Sequence, residues 1–400
     1  MKRTAETRRT WKGAALWSRG FRPFFSVAGL WAVVAMAVWP PLFAGEIGIP
    51  TAFSPVDWHV HEMIFGYGSA VAAGFLLTAI PNWTGRLPVA GRPLALLCAL
   101  WMLGRVAVFA SAAIGRVPAA ALDAAFLLVF AAVAAREVIA GRSLRNVKVV
   151  ALVLVLAAAN VGFHVEAAVA GAATDATRAS LAVLVFLILL IGGRVVPSFT
   201  HNWLAKRGVL ARPVPFGRAD GLAMGLSGLA LVLWVVFPDE PATGACLLAC
   251  GVANLWRLSR WRGLAALSDR LVVVLHVGFL FAALGFLIVG ARALWPDRVP
   301  AAAGLHVWAV GAIGTMTLAM MTRATLGHTG RDLAASGWTQ AIYLAVIIAA
   351  AARLAMEWVP SLALPLMCAA ALAWIAAFAG FVVIYGPMLT RRAAVPGDTG

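Results

Sequence analysis

The sequence predicts an all-α, polytopic membrane protein of twelve transmembrane helices with both termini in the cytoplasm. Three observations predict it. Hydrophobic residues make up 62% of the 400 and charged residues only 12%, whereas a soluble domain is about 45–50% apolar and about 25% charged. Apolar runs of some twenty residues recur along the chain, each long enough to cross a hydrocarbon core of about 30 Å. Basic residues cluster in every second gap between runs, as expected of cytoplasmic loops.

The runs fall at roughly 22–44, 59–81, 93–114, 117–141, 148–171, 176–197, 219–237, 242–262, 270–292, 302–322, 336–355 and 361–388, cut by Pro, Gly and charge. At that depth every backbone amide needs an internal partner, which helices supply. With the N-terminus in the cytoplasm, all 32 basic residues except Arg105, Arg116, Arg178, Arg292, Arg298 and Arg353 fall on the cytoplasmic side. The net charge of +16 therefore reports topology, and a nucleic-acid partner is excluded. No small-residue cleavage site follows the first run, so it reads as a retained helix. Residues 1–21 form a basic cytoplasmic segment, 22–388 the membrane domain and 389–400 a cytoplasmic tail. Runs two, six and ten begin near 59, 176 and 302 and end in similar polar stretches, which suggests a pseudo-threefold arrangement of three sets of four helices.

Cys98, Cys246, Cys250 and Cys368 all lie in apolar runs, so no extracytoplasmic disulfide framework is suggested. Cys246 and Cys250 share a helical face and read either as a soft Cu(I) pair or as small core residues. Met316 and Met320 are likewise soft ligands or core filling. No GxGxxG, Walker A, zinc-finger or HExxH pattern is present.

Polar groups at membrane depth are costly, which makes them functional candidates. His59, His61, His164 and His306 map to the outer third of the bilayer, His276 to the inner part, and His201 and His328 to the cytoplasmic rim. In Trp58-His59-Val60-His61-Glu62-Met63 the two imidazoles point about 200° apart on a helix and serve different neighbours. Below His61 run Gly68 and Ala72, a small-residue stripe suited to a flat macrocycle or to close helix packing. His61 and His306, on facing helices, would clamp a haem b, with His59 in place of His61 as the rival assignment. His59 would then serve a second site, such as copper shared with His164. Arg105, buried in mid-helix, needs an anion, either Asp123 or a haem propionate. Glu62 and Glu166 are candidates to orient imidazoles.

Several motifs carry a resemblance. They are Trp58-His59-Val60-His61-Glu62-Met63-Ile64-Phe65-Gly66-Tyr67, Gly74 through Arg86 with Ile80-Pro81-Asn82-Trp83, Gly192-Gly193-Arg194-Val195-Val196-Pro197-Ser198-Phe199-Thr200, Gly311-Ala312-Ile313-Gly314-Thr315-Met316, Met320-Met321-Thr322-Arg323 and Leu326-Gly327-His328-Thr329-Gly330-Arg331. Together they resemble the NnrS family from about Arg22 to the twelfth run. The resemblance implies a multi-pass protein of the bacterial inner membrane that contains haem b and copper, acts in the nitric oxide response and relieves nitrosative stress. Its metal-ligand pattern covers His59, His61, His164, His276, His306 and His328, and not His201. Its partners would be nitric oxide or nitrosylated species, the lipid bilayer and a membrane or cytoplasmic electron donor. A more distant likeness is to haem–copper oxidases and nitric oxide reductases, in which helices two and ten clamp a haem; their three-histidine copper site on helix six is not visible here. Two alternatives to NO or iron-nitrosyl handling stay open: a transporter or metal-handling protein, and a haem-based NO sensor without turnover.

Overall fold

The structure is a computed structural model and describes residues 11–392. Much of the basic segment at 1–21 and most of the tail at 389–400 therefore lie outside the described residues. Among the described residues there is no strand. The long helices are α1 Phe21–Phe43, α2 Pro55–Thr84, α3 Arg92–Phe109, α4 Arg116–Ala140, α5 Val147–Val169, α6 Thr174–Lys206, α7 Arg218–Val236, α8 Pro241–Ser259, α9 Arg270–Leu294, α10 Ala303–Thr329, α11 Gly337–Trp358 and α12 Ala363–Thr390. Eleven of the described helices are long and apolar enough to cross a membrane. The helix that falls short is α8, 19 residues long, whose last turns carry Asn254 and Arg257. The chain is thus an all-helical, multi-pass membrane protein. Exposed Leu96, Val165, Leu229 and Val383 fit a surface solvated by lipid rather than water.

Helix ends follow local chemistry. Ser54 caps α2, its side chain accepting from the Asp57 amide, and Pro55 fills the first position, where no N–H is needed. Gly85, at φ 69°, closes the same helix in the left-handed region. The start of α6 borrows its cap from α5: the Glu166 carboxylate accepts from the amides of Thr174, Asp175 and Ala176 at 2.8–2.9 Å. Glu166 is therefore a helix cap and not a group that orients an imidazole. Where the sequence reading ends helix six at 197, α6 runs through Pro197 to Lys206, because one missing N–H does not stop a helix whose neighbours hold it.

Two helices contain a turn of π-helix, Glu62–Gly68 in α2 and Val307–Gly314 in α10. Each begins at the residue after a histidine, His61 and His306. Such wide turns are rare and concentrate at functional sites.

The packing divides the chain into two units. Unit one comprises the chain up to Thr177, Met321–Leu333 and the chain from Phe378; unit two comprises Arg178–Met320 and Ala334–Ala377. In unit one α1 packs on α2, and α4 on both α3 and α5. A Cβ on Gly104 of α3 would sit 3.1 Å from the Cα of Asp123, so the missing side chain is what lets α4 approach. Arg22, at the start of α1, reaches the carbonyl oxygens of Met388, Leu389 and Arg391 at 3.0, 2.7 and 3.0 Å, which brings the first turn of α1 to the last turn of α12. In unit two α8 packs on α9, where Gly244 and Gly290 face each other backbone to backbone, and α9 packs on the π turn of α10.

Candidate metal centre

Four helices of unit one deliver polar side chains to one buried point. α2 brings His61 and Glu62, α3 Arg105, α4 Asp123, and α5 Asn160 and His164. Each stands in an otherwise apolar run, and Asn160 and His164, four apart, share a helical face. Asp123 is the hub. Its Oδ2 lies 3.1 Å from His61 Nε2 and 3.0 Å from His164 Nε2, and accepts from Asn160 Nδ2 at 2.7 Å. Its Oδ1 accepts from Arg105. Glu62 Oε1 lies 3.1 Å from His61 Nδ1 and accepts from Arg105 Nη1 at 2.8 Å. The ligand atoms of His61, Asp123 and His164 all lie within 4.8 Å of one another, close enough to hold one metal ion.

Phe53, Phe65 and Phe163 surround His61, with ring centroids 5.2, 5.0 and 5.2 Å from its own. The side chains of His61 and Glu62 are fully buried. In such low-dielectric surroundings charge must balance. Glu62 and Asp123 carry two negative charges and Arg105 one positive. The remaining negative charge calls for a proton on His61 or for a cation between the ligand atoms. Glu62 Oε2, Arg105 Nε and Asn160 Oδ1 are buried without a hydrogen-bond partner, a polar demand beyond what the side chains themselves satisfy.

Of the two partners open to Arg105, the structure shows Asp123 and adds Glu62, through Nη2 and Nη1, while its Nε keeps no hydrogen-bond partner. His59 stands apart from the cluster, stacked on Trp39 with ring centroids 4.2 Å apart. His164 therefore meets His61, not His59. In unit two, His306 holds its Nδ1 2.8 Å from the Ala302 carbonyl, a bond that leaves the lone pair on Nε2. Also in unit two, His276 lies 3.0 Å from Thr200 Oγ1 and fills the space a Gly263 Cβ would occupy. In unit one, His328 faces Arg19 Nη1 at 3.5 Å and the ring of Phe21.

Haem clamped by His61 would need an imidazole with Nε2 open to an iron. The Nε2 of His61 is turned to Asp123, Asn160 and His164, a donor set suited to a small metal ion rather than to one face of a porphyrin. His306 fits that requirement, since its tautomer is fixed by a backbone carbonyl.

Asn160, and the placing of Asp123 among the ligand atoms, are absent from the sequence reading. The signal for both was a lone polar residue inside an apolar run, with Asn160 one turn from His164.

Fold and site together define a polytopic helical membrane protein with a buried His–Asp–His centre competent to hold a metal. The description "NnrS protein" belongs to a family whose sequence model matches residues 15–392, and the chain belongs to that family. No curated protein matches it.

Proposed function

We propose that the chain is a copper- and haem-containing protein of the bacterial inner membrane that relieves nitrosative stress by handling NO or nitrosylated iron. The observation that carries this reading is the His61–Asp123–His164 cluster, whose ligand atoms all lie within 4.8 Å of one another beside two buried carboxylates and one guanidinium. Imidazole suits copper, and a cation between these atoms neutralises the carboxylate excess. In this reading His61, Asp123 and His164 hold the copper. Glu62 orients His61 through Nδ1 and Arg105 fixes both carboxylates. His306 would hold haem b through Nε2, with its Nδ1 proton kept on the Ala302 carbonyl. Bound copper and haem iron would supply redox-active positions at which NO coordinates. The aromatic rings around His61 exclude water from the centre.

The finer topology belongs to the same proposal: twelve spans in three related sets of four, with both termini cytoplasmic. The matching π turns after His61 and His306 support the kinship of α2 and α10. The contact of Arg22 with the end of α12 supports termini on one side.

Purified protein should show a Soret band, a reduced b-type α-band and about one copper per chain. Cells lacking it, and lacking other NO-removing enzymes, should grow worse under nitrosative challenge. Colourless, copper-free protein or unimpaired growth would overturn the reading.

A further inference from the structure

The centre is sealed around His61 and Asp123, but the side chain of His164 keeps 8% of its surface exposed. That surface opens on a small cleft lined by Ala52, Phe53, Ser111, Arg116, Ala119 and His164 and open on one side. Three features of the cleft favour a negative guest. Arg116 has one hydrogen bond, a long 3.4 Å contact to the Ala167 carbonyl, and no carboxylate within ion-pairing distance among the described residues. Arg116 opens α4, a helix of 25 residues whose N-terminus carries partial positive charge, although Pro118 has no N–H and the Ala119 amide already donates to the Gly115 carbonyl at 3.2 Å. His164, with Nε2 turned to Asp123, has no hydrogen-bond partner at Nδ1.

The last feature matters most once a metal is bound, and here the argument rests on the metal reading above. A metal on Nε2 puts the neutral ring's proton on Nδ1, and metal-bound imidazoles almost always give that N–H to an acceptor. Among the described residues no group accepts from His164 Nδ1. Ser111 is already engaged three times, its hydroxyl donating to the Val108 carbonyl and accepting from the Ala52 amide, both at 2.8 Å, and lying 3.2 Å from Thr51 Oγ1.

We propose that this cleft binds a small monovalent anion of the size of nitrite or azide, between the Arg116 guanidinium and the Nδ1 edge of His164. The anion completes the hydrogen bonding of His164 and sits beside the metal centre without displacing its ligands. A cationic guanidinium at the mouth argues against the same cleft serving as a cation entrance.

The test is calorimetric titration of the full chain with sodium nitrite and with sodium azide, in nanodiscs of zwitterionic lipid and with metal content measured on the same sample. About one equivalent should bind. Arg116→Gln should weaken binding at least tenfold with metal content unchanged, Arg116→Lys should weaken it less, and removal of the metal should weaken it in the wild type. Nanodiscs of anionic phosphatidylglycerol should leave the affinity unchanged. Abolition of binding there would assign Arg116 to a lipid headgroup and overturn the proposal. So would wild-type affinity in Arg116→Gln, or no binding to metal-loaded protein. Absence of metal would sink the metal reading alone. Arg116-dependent binding to metal-free protein would still uphold the anion site, and its absence there would remove that site too.

Discussion

His164 Nε2 lies 3.0 Å from the Oδ2 of Asp123, the same oxygen that His61 Nε2 approaches at 3.1 Å. Two imidazole N–H groups can donate to that one oxygen, and a cation shared among the three side chains would replace both protons; the metal reading requires the second arrangement. Asp123→Asn and His164→Ala should therefore lose the bound metal while keeping helical circular dichroism. Glu62→Gln, which reaches the centre through His61 Nδ1 and Arg105 and is no ligand itself, should weaken metal affinity about 10- to 100-fold. Metal analysis after dialysis against a graded chelator measures all three. Full metal retention in Asp123→Asn would remove the centre.

Arg105 holds two buried carboxylates. Arg105→Met should destabilise the protein by about 3–5 kcal/mol, the cost of leaving buried charge uncompensated. Adding Glu62→Gln and Asp123→Asn should restore most of that stability, because the charges then vanish together. Thermal unfolding in one detergent compares the variants, and failure of the triple variant to recover would show that Arg105 acts through packing instead.

A Cβ on Gly66 would stand 2.6 Å from Trp31 Nε1 and 2.9 Å from Glu62 Oε2. Both atoms are buried without a hydrogen-bond partner, and Trp101 donates to the Gly66 carbonyl at 3.0 Å. Gly66→Ala should cost about 1–3 kcal/mol through overpacking. Gly386→Ala in α12, where nothing lies within 4 Å, should be neutral or slightly stabilising. Equal melting temperatures for the two would contradict the crowding.

Reporter fusions in the α1–α2 loop, after residue 50, should read periplasmic, and those after Arg142 cytoplasmic. The lopsided distribution of basic residues demands this order. A cytoplasmic signal at residue 50 would invert the helix map.

The helical, membrane-spanning character was legible because the bilayer imposes both length and composition, and runs such as 117–141 obey both. Ends were legible where capping is local, and not where they are tertiary. Ser54-Pro55 starts α2 earlier than the apolar run does, and Glu166 caps α6 from another helix. Pro197 looked like a stop in the sequence, but α6 continues past it. At the site, the histidines and Arg105 stood out as polar residues at depth. Which of them meet depends on how α5 is rotated about its axis against α2 and α4, and no single helix encodes that. The Gly68–Ala72 stripe below His61 assumes 100° per residue, and the π turn over Glu62–Gly68 breaks that count.

Arg22 finds its acceptors on residues 388–391, more than 360 positions further along the chain. During synthesis the first helix thus enters the bilayer with a guanidinium whose resting place does not yet exist. Only when the final helix has emerged can its terminal carbonyls receive that charge. The contact acts as a clasp that joins the first turn of α1 to the last turn of α12. A nascent chain stopped short of Met388 would carry an unlatched first helix.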